Sequence, residues 1–360
     1  MSLIWKNDPA YPINDVFLMR PLDIRPGISN KYLEANATGN GVVVKADTIL
    51  SLISGSTRKA YLFATDTEVT TLDTGVLTLG INYYIYLCDN GTDNGLLLIS
   101  ANSTAPSGYT TTNSRRIGGF HYGRKRNSIT VADVTSGVVV PNSVWDLCHK
   151  PRCSPEGMVY LGNGVWVDIY LSSVDEAITF AAGSGSPILT GTAKSIYNAI
   201  PLTGTEGLSG YNFIEMARRS GKRLPTHAEW LQIAHGSPQG NNGDNVNAWS
   251  ATTNTGRQNT GYVANAISLL NVVDCVGNVW EWIDCFIIRP DGTVGWNYYD
   301  VMPGMNAGQL YMYSNIELVM LLAGGDWSSG VIAGSRCVNL YYYPWNVNTT
   351  IGARFACDSL

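Results

Sequence analysis

The sequence is poor in charge: Asp, Glu, Lys and Arg make up 14% of its 360 residues, against roughly 25% in an average globular protein. A formal net charge of −5 leaves no basic excess, which excludes the electrostatic footprint of a nucleic-acid-binding protein. No apolar run approaches membrane-spanning length, so membrane insertion is not expected. The opening Met1-Ser-Leu-Ile-Trp-Lys-Asn-Asp-Pro9 lacks the basic segment and apolar stretch of a secretory signal, and the expectation is a soluble protein made without its own export signal. Histidine is scarce. His121, His149, His227 and His235 are scattered, and no Ser/His/Asp arrangement suggests nucleophilic catalysis. Cysteine is present but unorganised. Of seven, Cys148 and Cys153 form the one close pair, and no second pair supplies zinc spacing. In a chain of this size, reduced and mostly buried thiols are expected rather than a disulfide framework.

What fills the gap is glycine, tyrosine, serine, threonine and asparagine. Aromatic and β-branched residues fit pleated surfaces, while Gly and Asn supply turns, so the composition favours β-rich, loop-rich structure. With 45% hydrophobic residues the chain can bury more than one core, and two domains are expected.

From about residue 16 to 126 short apolar runs alternate with turn signals: Val16-Phe-Leu-Met, Gly41-Val-Val-Val, Thr48-Ile-Leu-Ser-Leu-Ile, Lys59-Ala-Tyr-Leu-Phe and Asn82-Tyr-Tyr-Ile-Tyr-Leu-Cys. The last is closed by Asp89-Asn90-Gly91, a hairpin signal. Strands at this spacing predict a small β-sandwich after an N-terminal segment over 1–15. Its exit, Arg115 to Arg126, carries the one basic cluster, read as a solvated loop with an anionic partner as the alternative. Residues 127–144 are expected to be a linker into a second domain over 145–360.

In that domain Val159 to Leu171 reads as two strands joined by Gly162-Asn-Gly164. Helical signals are confined to Tyr211–Arg219 and to a helix opened by Thr226 and Glu229 at capping-box spacing, which runs to about His235. Residues 236–262 read as a long surface insertion. Val273 to Ile283 reads as an extended segment with Asn278, Trp280 and Trp282 on one side, the tryptophans as core.

The stretch from Gly324 to Cys357 has its own pattern. Asp326, Ser328, Gly330 and Ile332 alternate with Trp327, Ser329, Val331 and Ala333, and Asn346, Asn348 and Thr350 alternate with Val347 and Thr349. A period of two puts the two sets on opposite faces of a strand. Tyr341, Tyr342 and Tyr343 beside Trp345 and Asn346 are the residue types of an adaptable binding surface.

The succession Lys222-Arg-Leu-Pro-Thr-His-Ala-Glu-Trp, Val276-Gly-Asn-Val-Trp-Glu-Trp, Ala323-Gly-Gly-Asp-Trp, Ser335-Arg336 and Ile351-Gly-Ala-Arg-Phe-Ala-Cys resembles the C-type lectin fold in its formylglycine-generating-enzyme subtype. Tyr84-Ile-Tyr-Leu-Cys-Asp-Asn-Gly, Ala105-Pro-Ser-Gly-Tyr-Thr, Gly118-Gly-Phe-His-Tyr and Trp166-Val-Asp-Ile-Tyr-Leu extend the similarity through the preceding domain. Together they resemble the major tropism determinant family of phage receptor-binding proteins, which a retroelement diversifies. The resemblance implies an α+β, mostly β chain, with an N-terminal β-sandwich followed by a C-type lectin fold domain whose variable region covers about 324–357. It places the diversified, ligand-binding positions on Asp326, Ser328, Gly330, Ile332, Asn339, Tyr341, Tyr342, Asn346, Asn348, Thr350 and Ile351. Gly324-Gly325, Trp327, Arg336 and Gly352-Ala353-Arg354 would fix the backbone, with Tyr343 and Trp345 as supports.

The same resemblance implies a homotrimer at the tail-fibre tip of a virion, binding a host-cell surface protein or other surface macromolecule. The family also carries an N-terminal β-prism, which is not expected within the few residues before the sandwich. Two other readings compete. One is a cell-surface retroelement-diversified protein of a bacterium or archaeon. The other is a formylglycine-generating oxidase, which needs two nearby cysteines to hold copper; here Cys337 stands near one such place, but Ile332 occupies the position five before it. Calcium-dependent sugar binding lacks its signature, since Trp345-Asn346-Val347 departs from Trp-Asn-Asp. No catalytic residue or cofactor is therefore expected, and the Asp- and Asn-rich loops leave open a structural calcium or magnesium ion.

Overall fold

The computed structural model describes residues 2–6, 31–92, 94–173, 179–183, 186–190, 192–239, 256–287, 295–299, 310–314 and 318–360. The run Val16–Met19 and most of the expected insertion at 236–262 lie outside these residues. The chain divides into two compact units, one of residues 1–125, 136–151 and 359–360, the other of 126–135 and 152–358. It is α+β and mostly β.

The first unit carries β1 (Ser2–Lys6), β2 (Leu33–Ala35), β3 (Val42–Val44), β4 (Thr48–Ser54), β5 (Thr57–Phe63), β6 (Thr67–Val69), β7 (Ile81–Cys88), β8 (Leu96–Ser100), β9 (Ser114–Arg126), β10 (Val134–Val139) and β11 (Trp145–Asp146). They form sheets ordered β1-β5-β4, β2-β3-β6 and β10-β9-β7-β8, with β11 also paired to β9. Tyr61, Phe63, Ile85, Leu87, Ile117 and Phe120 meet in its core, as the β-branched and aromatic runs predict.

Three expectations need correction. The N-terminal segment is not separate, because β1 pairs antiparallel with β5. The supposed linker at 127–144 contains β10, an edge strand beside β9. The basic cluster is not a solvated loop but the 13-residue strand β9. Its cations are used locally: Arg115 donates to the Ser51 carbonyl at 2.7 Å, and Arg116 lies over the Tyr84 and Trp145 rings at 5.2 and 5.8 Å. Neighbouring apolar and turn residues outweighed the charge run, whose aliphatic stems pack on a sheet while their heads find carbonyls.

The second unit begins with the hairpin β12 (Met158–Gly162) and β13 (Val165–Asp168), whose connection takes positive φ at Gly162, Asn163 and Gly164. β14 (Ser172–Ser173) pairs with β17 (Lys194–Ser195), and β15 (Thr179–Gly183) with β16 (Ser186–Thr190). Helix α1 (Gly210–Arg219) and helix α2 (His227–Ile233) follow, each started by a capping box, Ser209 with Asn212 and Thr226 with Glu229. The main sheet is ordered β22-β21-β18-β23, from β18 (Trp280–Ile287), β21 (Val319–Gly324), β22 (Gly334–Asn339) and β23 (Ile351–Gly352). β19 (Gly295–Tyr299) and β20 (Leu310–Ser314) form a separate hairpin, and β24 (Ala356–Asp358) joins β13.

Residues 273–279, expected to be extended, turn instead, with positive φ at Asp274, Gly277 and Asn278; the strand starts at Trp280. Trp280 and Trp282 are core residues as expected, packed with Phe213, Met320, Leu322 and Phe355.

The motifs clasp this unit together. Lys222 pairs with buried Asp168 at 2.5 Å, and Arg223 bridges Glu229 and Asp358 at 2.7 and 2.9 Å. Arg354 is fully buried. It makes a two-pronged contact with Glu281 at 2.6 and 2.8 Å and donates to the carbonyls of Ile169 and Val273 at 3.0 and 2.8 Å. Burial pushes the Glu281 carboxyl up, and the guanidinium opposes that shift.

Removing one partner of such a pair leaves the other charge buried and alone, which costs about 3–5 kcal/mol. Arg354→Met should therefore lower unfolding stability in urea by about that amount. Glu281→Leu/Arg354→Met together should cost less than the sum of the single changes, and additive losses would show that the two groups are not coupled.

Candidate functional site

Nine of the eleven variable-region candidates lie in two loops that flank β22, while Asn339 ends β22 and Ile351 opens β23. One, residues 325–333, brings the chain from β21 into β22. The other, residues 340–350, carries it from β22 to β23.

The first loop is not a strand. Residues 326–329 turn, and Gly330–Ile332 form a short 3-10 helix. Asp326 holds this turn: its Oδ1 accepts from the Ser328 amide and hydroxyl at 2.9 Å each and from the Ser329 hydroxyl at 2.8 Å. The aspartate side chain thus competes with strand pairing and wins. Its entrance needs glycine, since a Cβ on Gly324 would meet the Cys275 carbonyl oxygen at 2.4 Å with φ at +95°. Trp327 packs on Val263 and Ala266, and its amide donates to the Asn278 carbonyl at 3.2 Å. Asn278 in turn exchanges side-chain bonds with the Gln258 backbone at 3.1 and 3.2 Å. The turn at 273–279 is therefore a floor for the first loop.

The second loop keeps the alternation read from the sequence but in the opposite phase. Trp345, Val347 and Thr349 are exposed, while Asn346, Asn348 and Thr350 are half-buried. The asparagines turn inward because their side chains hold the loop's own backbone. Asn346 Oδ1 accepts from the Tyr343 amide at 2.7 Å. Asn348 Oδ1 accepts from the Thr350 amide and hydroxyl at 2.9 Å each, and its Nδ2 donates to the Tyr342 hydroxyl at 3.0 Å. Short amide side chains favour these local turns over extended structure. The loop also rests on a neighbouring segment: the Gly204 amide donates to the Asn348 carbonyl at 2.9 Å, and Ser209 bridges Val347.

The eleven candidates therefore divide. Asp326, Asn339 and Ile351 are buried, at 5%, 6% and 1% exposure, so they are not surface positions. Asp326 caps a turn, Asn339 accepts from the Tyr341 amide at 2.9 Å, and Ile351 packs in the sheet core. Ser328, Ile332 and Tyr341 are exposed; Gly330, Tyr342, Asn346, Asn348 and Thr350 are half-buried. Tyr342 packs partly on the core and meets Tyr341 edge-on at 5.1 Å.

Two residues assigned to packing are at the surface. Trp345 is 55% exposed and stacks on Tyr343 at 4.9 Å with the rings 8° apart. Arg336 is exposed as well. Tyr211, half exposed at the start of α1, donates its amide to the Pro344 carbonyl at 3.2 Å. It also lines a cleft of about 520 Å³ with Ile214, Arg218, Asp284 and Phe286. No pattern in the sequence marked Tyr211, because its proximity to the loop arises from tertiary packing.

The arrangement suits contact rather than covalent chemistry. Cys337 is buried in the core, where burial and then the Asp326 charge push its thiol up to about 12. A reactive or metal-ligating thiolate calls for the opposite shift. Among the described residues no three His, Cys, Asp or Glu side chains gather to hold a metal ion.

Comparison with known proteins adds three findings. Residues 32–146 match the family model "Mtd second domain", and residues 181–358 match "Sulfatase-modifying factor enzyme 1-like domain". The "Tail fiber receptor-binding protein" of Bordetella phage BPP-1 is 31% identical over 339 residues, which span 90% of this chain and 81% of that one. Among solved structures, the Major Tropism Determinant U1 variant superposes with a TM-score of 0.71 at 26% identity, and the M1 variant with 0.69 at 28%. Each comparison covers 95% of this chain and 86% of the other.

The inward asparagines and the outward residues between them should respond differently to truncation. Asn348→Ala, which removes three local hydrogen bonds, should lower stability by about 1–3 kcal/mol. Val347→Ala should stay within about 0.5 kcal/mol. Equal effects in urea melts would contradict the assigned phase of the loop.

Proposed function

The chain belongs to the family of the phage tail fibre receptor-binding protein and the major tropism determinants, and from that membership we propose that it is the receptor-binding protein of a phage tail fibre. It would be carried on the virion at the fibre tip, and its partner would be a protein or other macromolecule on the host-cell surface. The observation that supports this most is the surface made by the two loops around β22. Tyr341 and Trp345 stand exposed on one loop and Ser328 and Ile332 on the other, on a backbone held by buried and half-buried groups.

Tyrosine and tryptophan offer large contact area with few rotatable bonds, and hydroxyls and amides adapt their hydrogen bonding. The contact set is therefore Ser328, Gly330, Ile332, Tyr341 and Trp345. Tyr342, Asn346, Asn348 and Thr350 shape it from the half-buried side. Assembly as a homotrimer would place several such surfaces on one fibre and raise avidity above a modest single-site affinity. An oxidase reading finds less support, because Cys337 is a core thiol and Ile332 stands where the second cysteine would be needed.

Particles carrying Tyr341→Ala/Trp345→Ala should adsorb at least tenfold less to bacteria that bind the parent, while the purified variant melts within about 3 °C of it. Undiminished adsorption would move the receptor site elsewhere.

Diversification of this surface by a retroelement is a separate part of the reading. Sequencing downstream of the gene should find a near-copy of the codons for residues 324–357, differing only at adenines, beside a reverse transcriptase gene. Absence of that repeat would leave a fixed-specificity adhesin of the same fold.

A further inference from the structure

Cys153 and Cys357 lie at opposite ends of the second unit in sequence and side by side in space. The Arg152 amide donates to the Asp358 carbonyl at 3.0 Å. One residue further along this antiparallel register, Cys153 stands opposite Cys357. Both touch the same glycine: a Cβ on Gly221 would lie 3.4 Å from the Cys153 Cβ, and the Cys357 Sγ is 3.5 Å from the Gly221 carbonyl oxygen. Each thiol is the largest influence on the other's proton affinity. Directly opposed residues of an antiparallel pair have Cα atoms about 4.5–5.5 Å apart, within the range that a disulfide spans.

We propose that Cys153 and Cys357 form a reversible disulfide site, reduced inside a cell and closed by a small-molecule disulfide after release. This holds whether or not the chain binds a receptor.

Of the five remaining cysteines, Cys148 is exposed and Cys285 half-exposed, and three are closed to solvent. Cys88, Cys275 and Cys337 are buried, and burial raises each thiol to about 12. Cys357 behaves differently. The hydrogen bond from Cys153, together with backbone amides and the Lys222 ammonium, brings it down to about 6 against the effect of burial. Cys153 is half-exposed and so is the sulfur an oxidant reaches first.

The exchange uses oxidised glutathione. Cys153, passing its proton to Cys357, attacks one glutathione sulfur; the glutathione S–S bond breaks and one glutathione leaves as thiolate. Cys357 then attacks the Cys153 sulfur of the mixed disulfide, the new S–S bond forms, and the second glutathione departs. The pair starts as one thiol and one thiolate: the first departing glutathione takes their shared proton, which frees Cys357 to attack, the second takes its proton from water, and the two protein sulfurs are oxidised as one glutathione disulfide is reduced. The closed bond would tie the segment before β12 to β24, joining early and late parts of the unit. A loop that long restricts the unfolded chain strongly.

The test treats the purified full chain with excess oxidised glutathione at pH 8 and blocks remaining thiols with iodoacetamide before non-reducing peptide mass spectrometry. The expected product is a Cys153–Cys357 peptide pair lighter by two hydrogens, which dithiothreitol reverses. The oxidised protein should melt higher by about 5 °C or more. Cys153→Ser, at a half-exposed position, should retain the parent circular dichroism and lose both the cross-link and the shift. Recovery of Cys153 and Cys357 as alkylated thiols overturns the proposal. So does an adduct that stops at glutathione, a cross-link to any other cysteine, or a closed bond that leaves the melting temperature unmoved.

Discussion

The guanidinium of Arg354 touches Glu281 on β18 and the carbonyls of Ile169 and Val273. It therefore fastens the end of the chain to the central strand, to the segment after β13 and to the turn at 273–279. Two of those three carry something the candidate site needs. β18 pairs with β21, from which the first loop departs, and with β23, to which the second returns. The turn supplies Asn278, whose carbonyl receives the Trp327 amide. A lysine could not replace the arginine here, because an ammonium lacks the fork that meets a carboxylate and two carbonyl oxygens together. Buried charge in this position favours one arrangement of strands, since any slip would leave Glu281 unpaired in the interior.

The consequence is a division between backbone and surface. Gly324 admits a close approach to the Cys275 carbonyl, Trp327 fills the gap against Val263 and Ala266, and Ile351 closes the sheet core. None of these residues needs an external partner. The exposed side chains of Ser328, Ile332, Tyr341 and Trp345 can then be judged by what they contact outside the chain.

Much of the architecture was legible because its signals are local. Thr226 with Glu229 marked a helix start, Gly162-Asn-Gly164 marked a hairpin, and Trp280 and Trp282 read as core. The motifs around Lys222, Asn278 and Arg354 carried the family resemblance. The placement of the site was only partly legible, and the failures share a cause. Alternation at 326–333 suggests a strand when side chains are counted as polar or apolar, but Asp326 uses its carboxylate on the Ser328 and Ser329 groups and bends the chain. At 346–350 the same counting put the asparagines outside and Val347 and Thr349 inside. The reverse holds because an asparagine can be satisfied by its own loop while a valine on a short exposed turn has no core to reach. Arg116 misled for a related reason, as the Tyr84 and Trp145 rings distant in sequence absorb it, while Arg126 is taken up by the Ser128 and Ile129 carbonyls just after it.

This bears on how a surface of this kind can vary. If side chains at Asn346 and Asn348 were free decorations, any replacement would be neutral to the fold. They are not free, for their oxygens hold the Tyr343 and Thr350 amides. Aspartate, serine and threonine can accept the same bonds, and glycine can adopt the same turns without them. Asparagine codons altered at their adenines reach all four. A diversified loop of this construction would therefore preserve its shape most often where substitution stays within turn-forming residues. It would gain most of its chemical range at the exposed positions Ser328, Ile332, Tyr341 and Trp345.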